Sequence, residues 1–290
     1  MSVITFVSAE EIPSRRKNMS TNKINLALFG AGATGLGILC IVFNDFAPLW
    51  KTIPSALPGR ALWVDACGCI LIAASLGLCF RRATLPGVAT IGAYYVFWAI
   101  GSAPPIFSEL LSFGSWYGLV IASSAISGAW ILYIALRLES AGMAFPGRDE
   151  RSVRVTRVLF GLACIFYGCS HFAFADYTAS FLPVWLPGRL GFAYFTGICH
   201  VAGGAGIALG IVPRLAATLE AIMMSLFGVL IWVPSFFAHP RPAWAGTTLN
   251  QWSELVVNLV LAAAAWSVAG SLRTLKWYPK STLHRILIVP

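Results

Sequence analysis

The feature that most limits this chain is a series of apolar stretches, each about 20 residues long, that recur from one end to the other. A helix rises ~1.5 Å per residue, so each stretch can cross a hydrocarbon core of about 30 Å. Eight are delimited, at about 24–44, 61–80, 84–103, 115–137, 155–173, 190–212, 215–237 and 251–271. Inside a bilayer no water satisfies an unpaired peptide group, so a spanning segment has to be a helix or part of a closed barrel. Barrel strands alternate apolar and polar residues, and these stretches do not. With 11% charged residues, against roughly 25% in an ordinary soluble domain, the chain has too few polar groups to coat a water-soluble body. The expected fold class is all-α and integral to a membrane, with eight transmembrane helices.

A string is written twice. "IPSALPGR" ends at Arg60 and "LPVWLPGR" at Arg189, an offset of 129. Around it other matches fall into line. "GLGILCIVFNDFA" at 35–47 parallels "GLACIFYGCSHFA" at 161–173, and Trp116 and Trp130 parallel Trp252 and Trp266. The offsets drift from 126 through 129 to 136, which puts the insertions in loops. The pattern predicts two like-facing quartets of helices, related by an axis along the membrane normal. The expected organisation is a cytosolic tail at 1–23, a first four-helix unit at 24–137, a linker at 138–153, a second unit at 154–271 and a C-terminal tail at 272–290. Pro, Gly and Arg together suit a re-entry turn whose arginine sits among headgroups. A functional outer-surface site is the alternative reading of that turn.

Sixteen of the twenty basic residues fall in the two tails and in the second, fourth and sixth loops. By the positive-inside rule both chain ends are expected to face the cytoplasm. The net charge of +9 then reads as topology and affinity for anionic lipid, not nucleic-acid binding, since no basic patch is interleaved with exposed aromatics. The first 22 residues hold no apolar core of signal-peptide type. All seven cysteines, Cys67 and Cys69 among them, fall in predicted spans and are expected as packing residues, and no Cys-x-x-Cys offers a dithiol.

The second half carries a Gly-x-x-His-Phe ending to its first helix (Gly168, His171, Phe172), the Leu-Pro-Gly-Arg turn, a Thr-Gly…Gly-Gly helix and a Trp-x-Glu opening to the last helix at Trp252 and Glu254. In these it resembles the DoxX-like family of small bacterial four-helix membrane proteins, over roughly 154–271. The first half looks like a degenerate relative, with Asp45 where His171 would be and Gly118 where Glu254 would be. The resemblance implies a helical bundle. Some members are associated with quinone-linked oxidation of sulfur compounds or with redox complexes.

An ionisable side chain at the centre of a span costs about 2.5–3.5 kcal/mol on insertion scales, so each one marks a candidate site. The second half has His171, His200, Glu220 and Glu254, and the first has Asp45 and Asp65. His171 ends an outward-running span and Glu254 begins an inward-running one, so both are expected near the outer interface with Arg189, as one ligand-binding cluster. His200 falls about ten residues into its span, ~15 Å down and near the midplane. There it is either hydrogen-bonded to a carbonyl, Ser170 or Ser225, or it serves as a proton relay or quinone partner. Different depths for His171 and His200 argue against paired axial ligation of a haem. Glu220 is expected near the cytosolic end, six residues after Arg214, as a lipid-interface residue or an intrahelical partner, and Asp65 is expected to be met by solvent or by Arg60. Trp185, Trp232, Trp244 and Trp252 read as an aromatic belt. The glycines of the first and sixth spans read as close packing or, alternatively, as the edge of a ligand path.

No complete catalytic set, P-loop or dinucleotide-binding motif is present, so no catalytic residue, metal or resident cofactor is assigned, with a quinone the one cofactor in question. The leading expectation is a non-enzymatic membrane component that partners a redox or envelope subunit. A quinone- or lipid-binding accessory protein using His171, His200 and Glu254 is the alternative. A small-molecule transporter is a third.

Overall fold

A computed structural model describes residues 11–46, 56–143 and 151–277, with side-chain surroundings from residue 23 onward. Every regular element among them is helical. In chain order these are α1 (Glu11–Phe43), α2 (Arg60–Gly77), α3 (Thr84–Gly101), α4 (Ala103–Ser108), α5 (Phe113–Ser140), α6 (Arg151–Ala173), α7 (Ala175–Phe181), α8 (Arg189–Leu209), α9 (Pro213–Phe227), α10 (Val233–Ser235) and α11 (Thr248–Ser271). Eight helical segments are long and apolar enough to cross a membrane, from Lys23–Phe43 to Thr248–Ser271. Their ends agree with the apolar windows to within a few residues, because insertion sums transfer energy over a whole window. Leu62, Phe97, Ile100, Phe195 and Leu209 lie exposed along the helices, as lipid-facing residues must. The chain is a multi-pass membrane protein.

The polar segments differ from expectation in extent. Helix α1 already runs from Glu11, within the expected tail. The linker narrows, since α5 continues to Ser140 and α6 starts at Arg151. Residues 144–150 and 278–290, parts of the expected linker and tail, lie outside the described residues.

Both Leu-Pro-Gly-Arg strings do the same mechanical job. Gly59 and Gly188 cap α2 and α8 in the left-handed conformation, with φ of 65° and 66°, where a side chain would meet the backbone. Arg60 and Arg189 are then the first helical residues. Arg60 pairs with Asp45, not Asp65, and lies over the Phe46 ring at 5.1 Å.

The spans interlock more closely than two separate bundles would. Within the first half α1 packs on α2, α2 on α3 and α3 on α5, and within the second α6 on α8, α8 on α9 and α9 on α11. Yet α1 and α5 scarcely meet, because α11 lies between them, and α5 in turn lies between α6 and α11. Each half is therefore closed by the last helix of the other. At the central crossing a Cβ on Gly128 would lie 2.6 Å from the Ala264 Cα, so only glycine lets α5 and α11 approach this closely. Those residues are 136 apart, the offset of the tryptophan pairs.

Contacts also correct the register of the halves. Gly77 faces Gly87 as Gly206 faces Ala216, so α2–α3 and α8–α9 correspond at 129 throughout. Gly37 meets the Gly68 carbonyl as Gly168 meets that of Gly197, which relates α1 to α6 at 131, not 126. Cys40, and not Asp45, is then the counterpart of His171. The glycine spacing that sets helix contacts is a better guide here than similarity between short apolar strings.

Candidate functional site

The ends of α5, α6, α8, α9 and α11 on one side of the body surround a cavity of about 760 Å³, with α7 and the turn at Ala243–Ala245 over it. Pro234 cannot donate to a carbonyl one helical turn back, and the chain meets this with a π-turn at Gly228–Trp232, in which the Val233 N–H bonds the Gly228 carbonyl. Ile231 and Trp232 of that turn, with Phe227 just before it, line the cavity.

His200, midway along α8, is wholly buried, and its Nδ1 lies 2.8 Å from Oε2 of Glu220. Glu220 is not at the cytosolic end with Arg214, as its neighbours in sequence suggested. Helices α8 and α9 form a hairpin turning at about residue 211, and residues equally far from the turn face each other. His200 and Glu220, eleven and nine residues from it, are level. Gly203, one turn along α8 from His200, leaves the space that the carboxylate fills, since a Cβ there would collide with Oε1. On its other side the carboxylate has the buried thiol of Cys164 within hydrogen-bonding and electrostatic reach. A buried charge needs a partner, and this geometry supplies an imidazole for one oxygen and a neutral wall for the other.

His171, near the end of α6, stands beside this pair. Its ring centroid is 5.3 Å from that of His200, edge to face. The expected difference in depth does not hold, because the first turns of α8 rise past the end of α6. His171 faces Ala193 and Thr196, and Gly197 accommodates its Cβ. Thr196 is seven residues into α8, about 10 Å along its axis. Depth therefore does not separate the two imidazoles as ligands of a haem. What opposes such ligation is the edge-to-face contact itself, which leaves no gap for a macrocycle. Phe227 stacks on His171 at 6.3 Å, and Tyr167 and Phe227 flank His200 at 6.1 and 5.8 Å. Tyr167 is held in turn by Ser124 of α5 at 3.0 Å.

The α11 wall carries Asn250, Glu254 and Asn258, each one turn below the last. Burial and the charge of Glu254 both push the phenol of Tyr177, on α7, above its usual range. Tyr177, Phe181, Trp232 and Trp244, all of which line the cavity, form a continuous aromatic cluster, with the centroids of touching rings 4.7 to 5.6 Å apart. Two of the expected belt tryptophans thus line the cavity, while Trp185 is largely exposed.

Of the four candidates, His171, His200 and Glu254 line this one cavity, and Arg189 does not. Sequence reasoning missed Glu220 as the partner of His200, the Thr196 support of His171, and the two asparagines. The last were legible as an i, i+4, i+8 row with Glu254 on one helical face. Among the described residues no group of three His, Cys, Asp or Glu side chains could hold a metal ion.

Residues 152–240, from the start of α6 to the polypeptide before α11, match the DoxX family. That stretch holds His171, His200 and Glu220 and ends before the α11 wall. No curated protein and no solved structure matches the chain.

Proposed function

We propose that this multi-pass protein, whose second half carries a DoxX domain, binds a lipid-soluble small molecule in the cavity lined by His171 and His200. The observation that carries the reading is that His200, which lines the cavity, is backed by the buried carboxylate of Glu220. A carboxylate and an imidazole are costly in this setting, and an apolar pair would pack the helices as well. The cavity's volume falls in the range of small-molecule sites, and its walls are mainly apolar with a few convergent polar groups. A quinone-type ring is of the right class. Such a protein acts as a ligand-binding accessory of a redox or envelope system in the bacterial inner membrane, with both termini cytoplasmic, and carries no chemistry of its own. A ligand site takes precedence over a purely structural partner because the cavity is open and carries polar groups on apolar walls, while the corresponding places in the first half hold the buried rings of Tyr95 and Trp98.

Solvent extraction of protein purified from its native membrane, read by mass spectrometry, is expected to release one lipophilic species in stoichiometric amount. The double variant His200→Leu with Glu220→Ile should lose it. An extract from the unaltered protein no richer than bulk lipid overturns the reading.

A further inference from the structure

His171 is held in a way that fixes which of its nitrogens carries the proton. Its Nδ1 lies 2.9 Å from the Thr196 hydroxyl and 3.3 Å from the Ala193 carbonyl. The Thr196 hydroxyl hydrogen has its own acceptors, the Phe192 and Ala193 carbonyls at 2.9 and 3.1 Å. A carbonyl oxygen only accepts, and a hydroxyl whose hydrogen is already donated can only accept as well. Both groups facing Nδ1 therefore call for a hydrogen on it, and a neutral imidazole with Nδ1–H has a bare Nε2. The groups that meet Nδ1 of His171 are a hydroxyl and a carbonyl, and neither is a carboxylate.

Nε2 of His171 has no hydrogen-bond partner among the described residues, and the ring lines the cavity. We propose that the cavity selects a ligand that donates a hydrogen bond, a lipid-soluble phenol, quinol or alcohol, to Nε2 of His171, with Thr196 the positioning residue that keeps that nitrogen bare. A ligand offering only a carbonyl or ether oxygen meets a lone pair there. Sites built around a hydrogen bond reject an analogue that lacks it, because the buried partner is left unpaired. The inference rests on the ligand-binding reading above and sharpens it from a quinone-type ring to its hydroxyl-bearing form.

The test uses the full-length protein in lipid nanodiscs and three probes of one alkyl length: a 4-alkylphenol, its methyl ether, and the alkylated benzoquinone. Binding is read by isothermal titration calorimetry against empty nanodiscs. The phenol is expected to bind about tenfold more tightly than either analogue. Thr196→Val leaves only the more distant Ala193 carbonyl to hold the hydrogen on Nδ1 and should weaken that preference, and Thr196→Ser, which keeps the hydroxyl, should restore it. Equal affinities for the three probes, or tighter binding of the quinone, overturn the inference while leaving the ligand-binding reading in place. An unchanged preference in Thr196→Val also overturns it, since the nitrogen would then be set by something else. If none of the three gives heat above that of empty nanodiscs, the ligand-binding reading fails and this inference with it. Should Thr196→Val not fold, the comparison of phenol with ether on the unaltered protein still decides.

Discussion

The two halves place the same helices in the same order and fill them differently. At the offset of 129, His200 and Glu220 correspond to Leu71 and Ile91, both wholly buried among apolar neighbours. Tyr95 and Trp98, which are fully buried in an aromatic cluster with Phe29, Phe46 and Tyr94, correspond to Met224 and Phe227 at the cavity wall. Thus the first half spends its volume on rings, while the second leaves a hollow and lines it with imidazoles. Even the prolines correspond, Pro105 with Pro234. One half meets its proline with a break between α3 and α4, and the other with the π-turn that borders the cavity. The lesson is that packing alone accounts for an apolar pair at this place, so the ionisable pair in the second half calls for a further reason.

The sharpest way to break this comparison is to transplant the apolar pair. His200→Leu alone leaves Glu220 buried without its imidazole and should cost about 3–5 kcal/mol in denaturant unfolding. Adding Glu220→Ile should return stability to that of the unaltered protein or above it, because buried ion pairs replaced by well-packed apolar residues are often neutral or stabilising. If the double variant is as unstable as the single one, the two halves do not correspond as described.

A smaller effect is expected at the shared crossing. Gly128→Val forces α5 away from Ala264 and should cost about 1–3 kcal/mol. Because each half is closed by the other's last helix, protease protection should fall in both halves together. Protection lost in one half alone would mean that they are separate bundles.

Next come Gly203 and its counterpart Ala74. Gly203→Ala presses on the Glu220 carboxylate and should cost about 1–2 kcal/mol in thermal unfolding, toward the low end of overpacking. The reverse change, Ala74→Gly, meets no carboxylate and should cost no more than ~1 kcal/mol, the helix propensity alone. The order of the two melting temperatures checks this.

Least is expected at the turn arginines. Arg60→Gln removes a half-exposed pair with Asp45 and should cost under about 1 kcal/mol. Arg189→Gln should not change the melting temperature measurably, since Arg189 has no hydrogen bond or ion pair among the described residues. An effect at Arg189 equal to that at Arg60 would give the second arginine a role that its surroundings do not.

Much of the site was within reach of the sequence, and its connections were not. His171, His200 and Glu254 stand out because an ionisable group in an apolar window is visible without any structure. Glu220 was equally visible, but its partner was sought along its own helix and lay across a hairpin. The match of Asp45 to His171 came from similar strings that pack five residues out of step. Arg189 was expected level with His171, but the first turns of α8 rise past the end of α6, so His171 meets Ala193 and Thr196 further along that helix.

What the sequence by itself determined is the number of spans, their limits and their helical nature, since each follows from transfer energies summed over about twenty neighbouring residues. What only the tertiary structure decided is the stagger of α6 against α8, the exchange of closing helices at Gly128 and Ala264, and the meeting of His171, His200 and Glu220. These depend on contacts of a few ångströms between residues far apart in the chain, and a single glycine or a shift of one turn changes them while the hydropathy of every span stays the same.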